Sequence, residues 1–172
     1  MIRHGLTLAL FLVLAAPALA QDNTVGLLIG TSEFLEDSIS FDLGADVQEF
    51  WYSRDLEAGT VLRLKLGQAD FEVEEDDSEL LAGDYEVEYA LALIEYRFHE
   101  VYGSTSLFFG PGVYRQQGVD QEESNFGLSA GVSGDFPVTR RLGLVLEGAY
   151  HWVNFENEYE FLTIGGGVRV SF

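Results

Sequence analysis

Eight times along this chain apolar residues fall on every second position, and a two-residue period of that kind builds strands. The sixth stretch is the cleanest: Phe126, Leu128, Ala130, Val132 and Phe136 alternate with Gly127, Ser129, Gly131, Ser133 and Asp135. A helical period is excluded where it can be tested, because it would mix Arg63 and Lys65 into the face of Leu62, Leu64 and Leu66. The remaining stretches begin at Thr24, Phe41, Thr60, Asp84, Ser104, Leu142 and Glu160. In the fourth, Tyr85, Val87, Tyr89, Leu91 and Leu93 form the apolar face opposite Glu86, Glu88, Ala90 and Ala92, with a phase shift near Leu93 and Ile94 that reads as a bulge. In the second, the phase slips before Phe50, Trp51 and Tyr52.

The connections alternate in character as well. Those after strands two, four and six are short and rich in turn formers, whereas those after one, three, five and seven are acidic and mostly longer. Short turns at one rim and longer loops at the other define an up-and-down arrangement. With about ten residues per strand, an all-β, eight-stranded antiparallel barrel accounts for the chain.

The first 20 residues stand apart. Arg3 precedes an uncharged apolar stretch from Leu6 to Ala16, and Ala18-Leu19-Ala20 forms a small-residue cleavage site, the three-part pattern of a secretory signal peptide. The expected organisation is therefore a signal peptide over 1–20 and one barrel domain over 21–172. All 29 acidic residues but only eight of the nine basic ones follow residue 20, so the exported part carries a charge of −21. Such a balance repels phosphate backbones, which excludes nucleic acid as a partner. The absence of cysteine removes disulfides, thiolate metal sites and cysteine nucleophiles together.

A barrel's alternating faces can be arranged in two ways. A soluble, lipocalin-like barrel turns its apolar face inward around a hydrophobic ligand, and a membrane barrel turns it to lipid. Three features favour lipid: the polar face is heavy in Gly, Ser and Ala; it carries charges of both signs; and aromatics gather at strand ends. The expected lumen network comprises Arg63, Lys65, Glu86, Glu88, Asp135, Glu147, His151 and Arg169. The expected aromatic belts are Phe50, Trp51, Tyr52, Tyr96, Phe98 and Phe136 at the turn rim, and Phe71, Tyr85, Tyr150, Trp152 and Phe155 at the loop rim.

The last eleven residues, from Leu162 to Phe172, alternate and close on an aromatic, and with Gly110-Pro111-Gly112-Val113-Tyr114 and Leu142-Gly143-Leu144 they resemble the small eight-stranded outer-membrane barrels of OmpA-like and OmpX-like type. The resemblance runs from about Asn23 to Phe172. It implies a transmembrane barrel in the outer membrane of a Gram-negative cell, a monomer in contact with outer-membrane lipid and lipopolysaccharide. It also implies that Ile164, Val168, Val170 and Phe172 form the signal read by the outer-membrane assembly machinery. Cell-wall anchoring is not implied, because the linker and peptidoglycan-binding domain of the longer OmpA-type proteins are not expected here. A structural or surface-interaction role, in envelope integrity or adhesion and without an open pore, is the expectation.

Catalysis finds little footing. A lipid A deacylase-like barrel needs a His and Ser on one strand face, but two places beyond His151 stands Val153. Glu147 lies about 13 Å along the strand from His151. His99 falls in a predicted turn. No catalytic residue, metal site or cofactor is assigned. The acidic run through Glu72, Glu74, Glu75, Asp76, Asp77, Glu79 and Asp84 lacks the spacing of a calcium loop, though divalent cations bridging it to lipopolysaccharide phosphates would suit its charge.

Overall fold

A computed structural model describes residues 23–35, 46–73, 83–117, 122–154 and 158–172. Eight strands follow one another: β1 (Asn23–Phe34), β2 (Val47–Asp55), β3 (Thr60–Val73), β4 (Gly83–His99), β5 (Ser104–Gln117), β6 (Glu122–Pro137), β7 (Leu142–Asn154) and β8 (Glu158–Ser171). Each pairs antiparallel with its neighbours in sequence, and β1 pairs with β8 from Thr24↔Ser171 to Phe34↔Phe161, which closes the barrel. Closure satisfies the backbone of every strand and leaves no edge. The expected segments at 1–20, Phe41 to Ala45, Glu74 to Glu79 and Phe155 lie outside the described residues.

Three tight turns at one rim follow β2, β4 and β6. In the first, Leu56 N–H donates to Thr60 O at 2.8 Å, and the chain reverses through Ala58 and Gly59 at φ 54° and 77°. The second pivot suits glycine, which has no Cβ to clash in the left-handed region.

Alternation along β5 to β8 places side chains as the sequence suggests. Leu107, Phe109, Val113, Leu128, Val132, Leu144, Leu146, Ile164 and Val168 point outward and keep about half their surface exposed. Ser106, Phe108, Tyr114, Ser129, Ser133, Glu147, His151 and Thr163 point inward and are buried. On β7 the outward row runs from Leu142 to Trp152; at about 3.3 Å per residue and a tilt of about 40°, it covers about 25 Å of height, the thickness of a barrel's lipid-facing band.

Two strands overturn their sequence-based phase. On β4 the pairing with β3 is continuous from Thr60↔Tyr96 to Val73↔Gly83, so there is no bulge. Tyr85, Val87, Tyr89, Leu91, Leu93 and Glu95 all face inward, while Glu86, Glu88, Ala90, Ala92, Ile94, Tyr96 and Phe98 face outward. Pairing of β4 with β5 does lapse at Ala92 and Leu93, opposite Pro111, which has no N–H to give, yet the register is the same on both sides. On β2, Val47, Glu49, Trp51 and Ser53 face inward without any slip among the described residues. Leu28, on β1, is inward too.

The interior is consequently less polar than expected. Val47, Phe71, Tyr85, Val87, Tyr89, Leu91, Leu93, Tyr114 and Phe161 join the buried cluster, with ionic groups set among them. An eight-stranded barrel is narrow enough for side chains to fill it, and close packing favours rings and branched chains over small polar groups.

Candidate functional site: a charged ladder through the barrel

The lumen carries a continuous chain of ion pairs. Lys65 Nζ, on β3, donates to Glu49 Oε2 on β2 at 2.9 Å and also pairs with Glu147 on β7. Arg63, two residues before Lys65 on the same inward face, pairs with Glu147 at 2.6 Å and with Glu95 on β4 at 2.5 Å. Glu95 in turn meets Arg97 at 3.2 Å, and Arg97 reaches Asp55 at 3.0 Å where the ladder opens to solvent at the turn rim. Three buried carboxylates, Glu49, Glu95 and Glu147, are thus matched by Arg63, Lys65 and the half-buried Arg97. Matching is what makes such burial tolerable, because an unpaired charge at this depth would be strongly unfavourable.

Aromatic faces complete the cage. The Arg63 guanidinium lies 5.5 Å from the ring centres of both Trp51 and Phe108, and Lys65 Nζ lies 5.3 Å from that of Phe108. The negative ring faces contribute to holding the cations. Glycines on facing strands make the room: a Cβ at Gly26 would strike the Trp51 ring, and one at Gly131 would strike Phe108.

Toward the loop rim the ladder gives way to a stack of rings. Tyr89 donates its hydroxyl to Glu49 at 2.7 Å, joining the two layers. His151 stacks on Phe161 at 4.4 Å, with Tyr89 and Tyr114 packed around them. Its Nδ1 lies 3.0 Å from the Tyr114 hydroxyl and its Nε2 3.3 Å from the Thr163 hydroxyl, so both ring nitrogens are occupied. Ser129 is the residue opposite His151 in register, but its buried hydroxyl makes no hydrogen bond. His151 is thus fully buried, and both its ring nitrogens face hydroxyls other than that of Ser129.

At the turn rim, Arg169 forms a two-pronged pair with Asp135, Nη2 to Oδ1 at 2.8 Å, and its Nη1 donates to Ser171 at 2.7 Å. Together with Asp55 and Arg97, this pair lines a cavity of about 250 Å³ at the barrel mouth.

Of the sequence-predicted lumen residues, the structure brings Arg63, Lys65 and Glu147 into one ladder, puts His151 in the ring layer and sets Asp135 with Arg169 at the mouth. Glu86 and Glu88 do not belong: the unbroken phase of β4 turns them outward, where Glu88 meets Arg115 at 3.4 Å near the loop rim. Glu49 and Glu95 take their places. Both were legible in principle, since each keeps strict alternation with inward neighbours, Trp51 and Ser53 on β2 and Leu93 on β4. The expected belt loses Trp51, Phe71 and Tyr85, which are interior, and keeps Tyr96, Phe98 and Phe136 among its exposed members. Among the described residues, no group of three or more His, Asp or Glu is arranged to hold a metal.

Closed eight-stranded topology, an apolar outer face and a filled interior define the class by fold: this is a small, closed, up-and-down antiparallel β-barrel, the fold that small outer-membrane barrels share. Among solved structures, the chain is similar to Neisserial surface protein A, at 15% identity and a TM-score of 0.61 over 87% of this chain and 96% of that one. It is also similar to the N-terminal β-barrel domain of Pseudomonas aeruginosa OprF, at 13% identity and 0.55 over 88% and 98%. Ail, the attachment invasion locus protein of Yersinia pestis, matches at 19% identity and 0.51 over 88% and 99%. No family model and no curated protein sequence matches.

Proposed function

We propose that this protein is exported on the signal segment at 1–20 and resides in the outer membrane as a monomeric barrel whose role is structural or one of surface interaction, without an open pore. The observation that carries the reading is the outer face, apolar on strand after strand around the barrel. A water-soluble protein rarely exposes contiguous apolar patches beyond a few hundred Å². A soluble ligand-binding barrel would need the reverse, a polar exterior around an apolar hollow, and here the interior is filled by the ladder and rings.

Surface interaction draws support from the class of neighbour, one of them named for attachment and invasion and solved also with a heparin analogue, sucrose octasulfate. The polyanion itself is a poor candidate for this chain, whose longer connections are acidic. Strand β8, with Ile164, Val168 and Val170 outward and the aromatic Phe172 just beyond it, suits the signal read by the assembly machinery. Phe172→Ser is expected to reduce the amount assembled in cells several-fold while leaving refolding into lipid vesicles intact.

Envelope fractionation with unboiled and boiled gel mobility tests the placement. The expected result is recovery with outer-membrane lipid and a faster band before boiling. Recovery as a dissolved species with one mobility overturns it.

A further inference from the structure

After residue 20 the chain has eight basic residues, and ion pairing divides them sharply. Arg63, Lys65, Arg97, Arg115 and Arg169 each hold a carboxylate. Arg54, Arg140 and Arg141 are exposed and form no ion pair among the described residues, in a protein with an excess of carboxylates. All three lie at the turn rim. Arg54 is near the end of β2, on the outward face below Phe50 and Tyr52; Arg140 and Arg141 are in the turn that opens β7.

Register brings the two sites together. The Arg141 carbonyl accepts from Ser171 N–H at 2.8 Å, Ser171 is level with Thr24, and Asn23 is level with Arg54. Arg141 and Arg54 are therefore three strand spacings apart, about 14 Å around the barrel. They sit where the apolar band ends, beside outward Leu142 and Val170, and the apolar tip of the same turn, Val138, is 56% exposed. Unpaired guanidinium groups just beyond a hydrocarbon-matched band are placed at the depth of lipid phosphates, and arginine suits phosphate through its forked donors.

We infer that Arg54, Arg140 and Arg141 form a docking surface for anionic phospholipid headgroups of the bilayer leaflet at the turn rim. This rests on the membrane reading above and adds the lipid class and the side it lies on. The turn rim also carries Glu57 and Glu100, while the opposite rim, with Asp70, Glu86, Glu88 and Glu122 around Arg115, is more acidic and disfavours the same headgroups.

The test uses the mature chain refolded into phosphatidylcholine vesicles with and without phosphatidylglycerol, comparing the parent with Arg54→Gln, Arg140→Gln and Arg141→Gln combined. The loop rim is unchanged in the variant, so the difference between the two proteins isolates the arginines. The expected penalty is small in phosphatidylcholine and larger by about five-fold per arginine in the folding equilibrium with phosphatidylglycerol, fading at high salt. The corresponding triple lysine variant is expected to keep most of the increment. A variant-to-parent ratio equal in the two lipids overturns the inference while leaving the barrel intact; a parent that enters neither vesicle overturns the membrane reading itself.

Discussion

Glu147 bears the greatest burden among single residues, since it is shared by Arg63 and Lys65 and is itself nearly inaccessible to solvent. Removing it leaves two buried cations with one carboxylate each, and Glu147→Ala is expected to cost about 3 to 5 kcal/mol, read from reversible urea unfolding in vesicles. Replacing the whole buried ionic group with apolar residues of similar volume, Arg63→Met and Lys65→Met together with Glu49→Leu, Glu95→Leu and Glu147→Leu, leaves no buried charge unpaired and is expected to recover much of that loss. Gly131→Leu offers an independent probe: its Cβ would meet the Gly148 carbonyl oxygen of the paired strand as well as the Phe108 ring, so backbone must shift and the cost is expected at or above about 3 kcal/mol. Arg63 and Lys65 were readable because each stands between outward leucines, and Glu147 because it follows the alternating outward Leu142, Leu144 and Leu146. Glu49 and Glu95 keep the same alternation but were masked, because a cluster of large aromatics on β2 and inward apolar residues on β4 imitate the pattern of a lipid-facing row.

At the scale of the strand, parity sets which side chains meet lipid, and position along the strand sets what a misplaced charge costs. Leu144→Arg and Leu146→Arg, well inside the outward band, are expected to lose about 2 to 4 kcal/mol, whereas Leu142→Arg, near the turn rim, should lose no more than about 1 kcal/mol. A uniform penalty along β7 would contradict the band. Beyond the band on β4, burial first, then the like charges of Asp70 and Glu88, hold the Glu86 carboxyl above its ordinary range, with Arg115 opposing. A folded pKa above the unfolded one means the charged form is disfavoured by folding, so this cost is present at neutral pH and is relieved as pH falls into the carboxylate range. Glu86→Gln is accordingly expected to raise stability at pH 7 and to flatten part of the gain on mild acidification. The sequence made β5 to β8 legible because glycine and serine on their inner faces contrast with leucine and valine outside. It misled on β4, where both faces carry apolar residues and only the register distinguishes them.

At the scale of the molecule, closure and filling act together. The β1–β8 pairing removes edges, the rings and ion pairs occupy the hollow, and on the membrane placement proposed above the hydrophobic effect acts on the outer face, with lipid as its surroundings. Strand number, antiparallel order and the contrast between tight turns and longer connections could all be read from periodicity, because each is a property of local sequence. The apolar interior could not, because a two-residue period reports that two faces differ without reporting that both are hydrophobic in places. The leucine and valine rows thus face outward, where the proposed membrane placement sets them against hydrocarbon. The chain lacks cysteine, so single labels can be placed at will. Fluorophores at Leu64→Cys and Leu144→Cys on the outer face, compared with Val145→Cys on the inner face, are to be measured in vesicles carrying brominated acyl chains. Strong quenching at the outer pair with little at Val145→Cys is expected; equal quenching at all three, or quenching greatest at Val145→Cys, would contradict the account.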